Sequence, residues 1–257
     1  MELHLVPAFS DNYIYLLRDP SSGAGQDKVG VVDPGDAAPV IEALDRRGWT
    51  LTHIFNTHHH NDHVGGNHTL KARGNATVIG ARADAARIPD METGLGEGET
   101  ISFGSQTARV LFVPGHTSGH IAFWFPEAKA VFCGDTLFAL GCGRLFEGTP
   151  AQMWSSLQKL RDLPDDTRVY CGHEYTLSNA RFALTVEPGN RDLQARAAAV
   201  AALRERGEPT IPTTIGEEKR TNPFLRADRP ELQAAIGMAG ADPVEVFAEI
   251  RRRKDNF

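Results

Sequence analysis

Four separate segments of this 257-residue sequence share one pattern: an apolar run typical of a short β-strand ends, and histidine or aspartate follows within a few residues. The segments are residues 53–63, 109–120, 130–136 and 168–174. Glycine lies in or beside each of them, and glycine lets a backbone turn tightly and approach a site closely. Because ligands usually lie outside the carboxyl ends of strands in α/β folds, we expect these side chains to converge. The pattern favours an α/β fold with a metal-binding edge.

The first segment contains the run THHHNDH, directly after a predicted strand. On an extended backbone successive side chains alternate between faces, so His58 and His60 point the same way and His59 points oppositely. Two imidazoles on one side can hold one metal ion, and Asp62 and His63, after the strand ends, are placed to face a second. The alternative is a solvated histidine-rich loop. We favour metal binding because the run is internal, follows a strand and contains a carboxylate.

The other three segments each contribute one metal-competent side chain at a strand end. They are His116 after residues 109–113, Asp135 after residues 130–133, and His173 after residues 168–171. Taken singly, each has a structural alternative, since a histidine can be a hydrogen-bonded turn residue and an aspartate can form an Asx turn. The agreement of four independent strand ends favours a shared metal centre.

The chain divides into two regions of different character. Up to residue 175, short strands alternate with helical patterns at residues 38–47 and 149–160, which predicts a layered α/β core. Residues 176–257 are predicted to form a helical domain, with a loop over residues 209–223. Its helices are expected at residues 175–187, 191–206, 231–237 and 243–253.

Composition restricts the partners and the compartment. The formal net charge is −6, so no global basic field attracts nucleic acid or an anionic membrane. Neither a signal peptide nor a membrane span is evident, and three widely spaced cysteines argue against a disulfide framework. We therefore expect a cytoplasmic monomer acting on a small molecule. Cys142, in a glycine-rich stretch, is expected to be exposed and is a weak candidate for thiol reactivity.

The motifs THxHxDH, PGHTxGH, a Gly-Asp after a strand and a final Gly-His resemble the metallo-β-lactamase superfamily over residues 1–175. This resemblance implies an αββα four-layer sandwich with two metal ions at one edge of its sheets, followed here by the helical domain. It also implies a ligand set. The first ion would take His58, His60 and His116, the second would take Asp62, His63 and His173, and Asp135 would bridge both.

Four further stretches, GCGRLFEG, CGHEYT, TNPFLR and RRRKDNF, resemble the glyoxalase II family of hydroxyacylglutathione hydrolases. That resemblance implies hydrolysis of S-D-lactoylglutathione to glutathione and D-lactate, the second step of methylglyoxal detoxification. A hydroxide bridging two divalent ions, zinc with iron or manganese as alternatives, would attack the thioester, and Asp62 would orient it. The implied glutathione-binding residues are Arg144, Phe146, Tyr175, Arg251 and Lys254.

The substrate-binding residues have simpler interpretations too. Arg251 and Lys254 could be a solvated helix end favoured by the helix dipole, although their spacing of three places them on one face. The family often has lysine at the position of Arg144 and tyrosine at that of Phe146, so geometry changes at the first and a hydroxyl is lost at the second. The TNPFLR stretch, residues 221–226, is interpreted as a turn-and-cap segment with a packing role.

Three alternative functions fit the metal motif alone. A persulfide dioxygenase, a mononuclear iron oxidoreductase, shares the motif but generally lacks the helical tail. A metal-dependent nuclease is disfavoured by the net charge of −6. A non-catalytic metal-stabilised module is disfavoured because structural sites are usually closed and four-coordinate, whereas seven ligands leave room for water.

Overall fold

The computed structural model describes residues 1–20 and 27–257. Packing divides the chain into two compact units. The first comprises Met1–Phe112 and Thr117–Gly134, and the second comprises Val113–His116 and Asp135–Phe257. In the described part of the chain, no helix combines the length and the apolar character that crossing a membrane requires.

Over its described residues, the first unit contains two sheets and three α-helices. One sheet has the order β1-β2-β3-β4-β5-β6, antiparallel across β1 to β3 and parallel from β3 to β6, and the four strands β10-β9-β8-β7 pair antiparallel in that order. The strands are β1 (Glu2–Ala8), β2 (Asn12–Asp19), β3 (Lys28–Val32), β4 (His53–Phe55), β5 (Thr77–Ala81), β6 (Thr93–Leu95), β7 (Thr100–Phe103), β8 (Gln106–Phe112), β9 (Ile121–Phe125) and β10 (Ala130–Gly134). The helices are α1 (Ala37–Arg47), α2 (Asn61–Val64) and α3 (Asn67–Gly74), with a 3₁₀ turn at Arg82–Asp84.

Alternation along β4 builds the layers of this unit. Ile54 belongs to a buried aliphatic cluster that includes residues of α1 and α3, whereas the neighbouring Phe55 packs on aromatic rings of β7 and β9. Both side chains are completely buried. Helix, sheet and sheet are therefore stacked in this order, which is the start of the predicted sandwich.

Local signals set the limits of α1 as predicted. The Asp36 carboxylate accepts a hydrogen bond from the Ala38 amide at 2.9 Å, which satisfies one of the unpaired N–H groups at the helix start. Gly48 ends the helix at φ 64°, a left-handed conformation that glycine adopts without a steric cost.

The second unit is mainly helical. It contains the strands β11 (Leu137–Phe138), β12 (Gly141–Cys142), β13 (Arg168–Cys171) and β14 (Thr213–Thr214), which pair antiparallel as β11 with β12 and β13 with β14. Its helices are α4 (Pro150–Arg161), α5 (Thr176–Val186), α6 (Arg191–Glu205), α7 (Ile215–Thr221), α8 (Pro230–Ala235) and α9 (Pro243–Asp255), with a 3₁₀ turn at Pro223–Leu225. Thr149 caps α4 in a capping box with Gln152, so the helix begins at the start of the predicted pattern over residues 149–160.

The predicted loop over residues 209–223 is wrong in its second half. Thr214 caps α7 by accepting a hydrogen bond from the Glu217 amide at 3.2 Å. Glu217 and Glu218 occupy the first turn, where negative charge is favoured by the helix dipole. A threonine cap followed by glutamates in the first turn indicates the start of a helix. The surrounding proline, threonine and glycine nevertheless favoured the prediction of a loop.

Candidate metal centre

The histidine run of the first unit lies between β4 and α2. The chain bends at residues 57 and 58, so the extended backbone predicted for the run is wrong. The predicted division of side chains nevertheless holds, because His58 Nε2 lies 3.1 Å from His60 Nδ1. His59 instead places Nδ1 3.1 Å from a carboxylate oxygen of Asp84. The bend brings the first and third imidazoles together and separates the second.

His58 is held on several sides. It is completely buried, its Nδ1 lies 3.1 Å from the Thr57 hydroxyl, and its ring stacks on His120 with centroids 4.6 Å apart. A hydrogen-bonding partner at one ring nitrogen fixes the orientation of the other, which suits a metal ligand. His120 therefore packs against a predicted ligand and steadies it.

Asp62 and His63 lie on the short helix α2. His63 Nε2 is 3.4 Å from Asp62 Oδ2, and the same carboxylate oxygen accepts a hydrogen bond from Asn12 Nδ2 at 3.0 Å. One helical turn therefore places a carboxylate beside an imidazole, and Asn12 of β2 holds the carboxylate. This is the second pair of donors predicted for the run.

Asp33 is a further candidate site residue, which the sequence motifs did not indicate. Its carboxylate accepts hydrogen bonds from the amide and the hydroxyl of Thr57, both at 2.7 Å, and lies 3.2 Å from His63 Nδ1. Potential ligand atoms of Asp33, His58 and His63 all lie within 4.8 Å of one another. Since its oxygens bind Thr57 and His63, Asp33 is placed to orient the histidine. The available signal was an aspartate directly after the buried strand β3, followed by Pro34.

The second unit brings three predicted ligands together from distant positions. Asp135 Oδ2 lies 3.4 Å from His116 Nε2 and 3.3 Å from His173 Nε2. All three residues are buried. One carboxylate oxygen of Asp135 therefore lies close to an imidazole nitrogen of each predicted ligand, His116 and His173.

Close packing restricts the backbone at two positions beside this cluster, Gly134 and Gly143. Gly134, which precedes Asp135, has φ 47°, and a Cβ there would lie 2.1 Å from the Thr57 hydroxyl oxygen. A Cβ on Gly143 would lie 2.0 Å from the Asp135 carbonyl oxygen. In addition, His116 Nδ1 lies 2.9 Å from the Arg144 carbonyl, so its Nε2 turns toward Asp135. Only glycine fits at these two positions.

Three of the predicted substrate-binding residues surround the second cluster with exposed side chains. The Tyr175 ring stacks on His173 at 4.7 Å, and the Phe146 ring meets His116 edge-on at 5.2 Å. Tyr175 is 39% exposed and Phe146 is 62% exposed, which is unusual for aromatic rings of this size. Arg144, which lies two residues before Phe146 in the sequence, is also exposed. Each ring is available to a ligand while it covers a buried imidazole.

The two cations of α9 that were predicted to bind substrate differ from each other. Arg251 is buried, donates to the Cys142 carbonyl at 2.9 Å and pairs with Asp255 at 2.9 Å. Lys254 is half-buried, with Nζ 3.2 Å from the Ser178 hydroxyl. Burial, with the positive charges of Arg251 and Arg144, lowers the pKa of Lys254 to about 8. Lys254 is thus the accessible cation, whereas the Arg251 guanidinium is bound within the chain.

Comparison with known proteins gives a consistent result. Residues 9–173 match the family model described as the metallo-beta-lactamase superfamily, and residues 174–257 match the one described as hydroxyacylglutathione hydrolase C-terminus. The hydroxyacylglutathione hydrolase of Methylococcus capsulatus is 58% identical over 257 residues, which cover 100% of this chain and 99% of that protein. The chain belongs to the hydroxyacylglutathione hydrolase family. The predicted family, fold class and hydrolase class are thereby confirmed.

Solved structures agree with the fold of this hydroxyacylglutathione hydrolase family member. The crystal structure of ETHE1 from Myxococcus xanthus has a TM-score of 0.70 at 28% identity and covers 98% of this chain and 90% of its own. The crystal structure of TTHA1623 in a di-iron-bound form has a TM-score of 0.60 at 28% identity, with coverages of 88% and 100%. The two-sheet core is therefore shared with proteins of much lower sequence similarity.

The expectation that Cys142 is exposed is wrong. Its side chain is buried in this family member, and burial raises the pKa of the thiol to about 11. Cys171 is likewise buried, and burial raises the pKa of its thiol to about 12. Both thiols stay protonated near neutral pH, so neither is a competent nucleophile.

Proposed function

We propose that the chain hydrolyses S-D-lactoylglutathione, and 2-hydroxyacylglutathione thioesters generally, to glutathione and D-lactate. Family membership supports a hydroxyacylglutathione hydrolase. The observation that carries the mechanism is the Asp135 oxygen that lies between two buried imidazoles, 3.4 Å from His116 Nε2 and 3.3 Å from His173 Nε2. In the reaction, water adds to the thioester carbonyl carbon, the carbon–sulfur bond breaks, and glutathione leaves as a thiolate.

The donor sets of the two units fit divalent metal ions. Imidazoles and carboxylates suit zinc, iron and manganese, and the similar TTHA1623 was crystallised in a di-iron-bound form. We propose zinc, with iron or manganese as alternatives. Following the motif, one ion would be held by His58, His60 and His116, and the other by Asp62, His63 and His173, with Asp135 shared. Two such ions would activate a shared water and polarise the thioester carbonyl.

The chain's own residues supply orientation. Asp62 is assigned the catalytic role of orienting the attacking water, and Asn12 keeps its carboxylate in place with a 3.0 Å hydrogen bond. The leaving thiolate has a modest pKa, so no residue is needed to protonate it before the bond breaks. Buried His116 and His173 are covered by Phe146 and Tyr175, which limits the access of bulk water.

We propose that recognition is directed at the glutathione part of the substrate. Arg144 and Lys254 supply positive charge for its carboxylates, and Tyr175 and Phe146 supply aromatic contacts. Arg251, proposed from the motif as a partner of the glycine carboxylate, would have to exchange its bonds to Cys142 and Asp255 to fulfil that role. We therefore assign the direct contact to Lys254 first.

Further proposals rest on sequence and composition. We place the boundary between the metal domain, residues 1–175, and the glutathione-binding helical domain, residues 176–257, at the end of the motif-bearing region. We also propose a cytoplasmic monomer. It is proposed to have no nucleic-acid partner, as the net charge of −6 favours. Light scattering of the purified chain tests the monomer.

The direct test is a thioesterase assay on S-D-lactoylglutathione with elemental analysis of the same sample. We expect thioester loss with equimolar release of free thiol, abolition by a chelator and recovery on adding metal back. Oxygen uptake with glutathione persulfide serves as the control for the dioxygenase chemistry. A fully metal-loaded sample that leaves the thioester intact would overturn the proposal.

A further inference from the structure

The β11–β12 hairpin links two residues of the proposed site. Asp135 lies two residues before Leu137, where the hairpin begins, and Arg144 lies two residues after Cys142, where it ends. At its turn, Leu140 has φ 59°, a conformation that side chains other than glycine rarely adopt. Such a turn persists only when its surroundings hold it. The position of the hairpin therefore sets the positions of both residues.

Side chains from the C-terminal helices bind the hairpin backbone residue by residue. Asn222 Nδ2 donates to the carbonyls of Phe138 at 3.1 Å and Gly141 at 2.9 Å. Asn179 Nδ2 donates to the Ala139 carbonyl at 3.1 Å, and the Arg251 contact with Cys142 follows it. Four carbonyls of one short hairpin are thus bound by three side chains.

The turn amide is held from the same side. Leu140 N donates to Glu218 Oε2 at 2.9 Å, and the other oxygen of this completely buried carboxylate pairs with Arg196. Asn222 Nδ2 also donates to Glu218 Oε2 at 2.9 Å. Because a buried polar group is costly unless it is hydrogen-bonded, this connected network strongly favours one arrangement of the hairpin.

Asn222 lies at the centre of this network, and its two ends do different work. It is completely buried, its Oδ1 accepts from the Phe224 amide at 2.9 Å, and its Nδ2 donates to the hairpin. The acceptor end accounts for the turn-and-cap role interpreted from the TNPFLR stretch. The hydrogen bonds from Nδ2 to the hairpin are not part of the turn-and-cap role.

We propose that Asn222 is a positioning residue for the hydrolysis, because its side-chain amide fixes the hairpin that places Asp135 and Arg144. The link continues through the Arg144 carbonyl, which lies 2.9 Å from His116 Nδ1. A displaced hairpin would therefore shift the Asp135 carboxylate, the Arg144 side chain and the orientation of His116 together. This inference rests on the proposed function of the site.

The experiment separates the donor end of Asn222 from its acceptor end. Asn222→Ser keeps a cap acceptor but does not reach the hairpin, and Asn222→Asp keeps the shape while losing the donors. The matched control is Gln233→Ala, which removes a buried amide of α8 that donates to the Ala227 carbonyl at 3.0 Å. Steady-state kinetics, metal equivalents per chain and Tm are measured for every variant, well below its unfolding temperature.

We expect both Asn222 variants to lose about tenfold in kcat/KM, with a higher KM and fewer than two metal equivalents per chain. Gln233→Ala should keep wild-type kinetics and metal content, even where its Tm falls by a similar amount. Normal kinetics and normal metal content in folded Asn222 variants would overturn the proposal, and so would losses matched by Gln233→Ala.

Two further comparisons cover a variant that does not fold and a wild-type chain that does not cleave the thioester. If an Asn222 variant does not fold, Asn179→Ser removes only the bond to the Ala139 carbonyl. It should show a smaller loss in the same quantities, and an unchanged variant would count against the proposal. If the wild-type chain leaves the thioester intact, the proposed function fails, while the metal content of the variants still tests the positioning role.

Discussion

The two units hold predicted ligand clusters of opposite construction. In the first, four predicted ligands lie within six consecutive residues, from His58 to His63, and a bend followed by one helical turn arranges them. In the second, His116, Asp135 and His173 are far apart in sequence and meet only in the folded unit. A compact run needs little beyond local geometry, whereas a dispersed cluster depends on the loops and hairpins that carry each residue. The cluster of the second unit should therefore be more sensitive to substitutions outside it.

The largest expected effect is at Asp135, the centre of the dispersed cluster. Asp135→Ala removes the oxygen that faces both imidazoles, and a methyl group cannot replace a bridging ligand. We expect fewer than two metal equivalents per chain and a loss of about a thousandfold in kcat, since an activating ion supplies several kcal/mol. Elemental analysis and thioesterase kinetics measure both. Asp192→Ala, at an exposed carboxylate of α6, is the control, and two full equivalents in Asp135→Ala would refute the bridging role.

A pair of variants tests the division inside the compact run. His58→Ala should lose metal and at least about a hundredfold of activity, because it removes a buried imidazole beside His60. His59→Ala should keep both metal equivalents, because this ring contacts Asp84 instead. Metal content and kcat are compared in the two proteins. Equal losses would mean that the run acts as a unit rather than through alternating side chains.

Substitution of Asp33 tests whether the ligands of residues 58–63 also depend on side chains outside this run. Asp33→Asn weakens its hold on His63 and Thr57, so we expect metal affinity to fall by about tenfold. Asp36→Ala is the control, since it removes the cap of α1 and should cost about 1 kcal/mol of stability without changing metal affinity. Competition with a chromophoric chelator measures the affinity. An unchanged affinity in Asp33→Asn would show that the compact run orients itself.

The smallest expected effect concerns substrate binding by Lys254 in the second unit. Lys254→Ala should raise KM by about tenfold and leave kcat unchanged, because the cation acts away from the reacting carbonyl. Since the pKa of Lys254 is lowered to about 8, the ammonium is charged below that pH and lost above it. The wild-type KM should therefore rise as pH increases through about 8, and that rise should vanish in Lys254→Ala. Arg252→Ala, at an exposed residue of the same helix, should behave like wild type.

Much of this contrast could be predicted from sequence because strand ends and glycines leave local signals. The alternation of His58, His59 and His60, the cap at Thr149 and the strand before His173 are all properties of short stretches. What the sequence did not reveal depends on tertiary packing. Cys142 and Arg251 are far apart in sequence but are buried in contact with each other. Asp33, which accepts a hydrogen bond from Thr57, lies 24 residues before it.

We propose that catalysis requires two metal ions held by these clusters. The most direct measurement is a titration of the metal-free chain with zinc, iron or manganese while the hydrolysis of S-D-lactoylglutathione is recorded. We predict no hydrolysis without metal and a plateau in rate at two equivalents per chain. Full activity in the metal-free chain, or a plateau already reached at one equivalent, would contradict it.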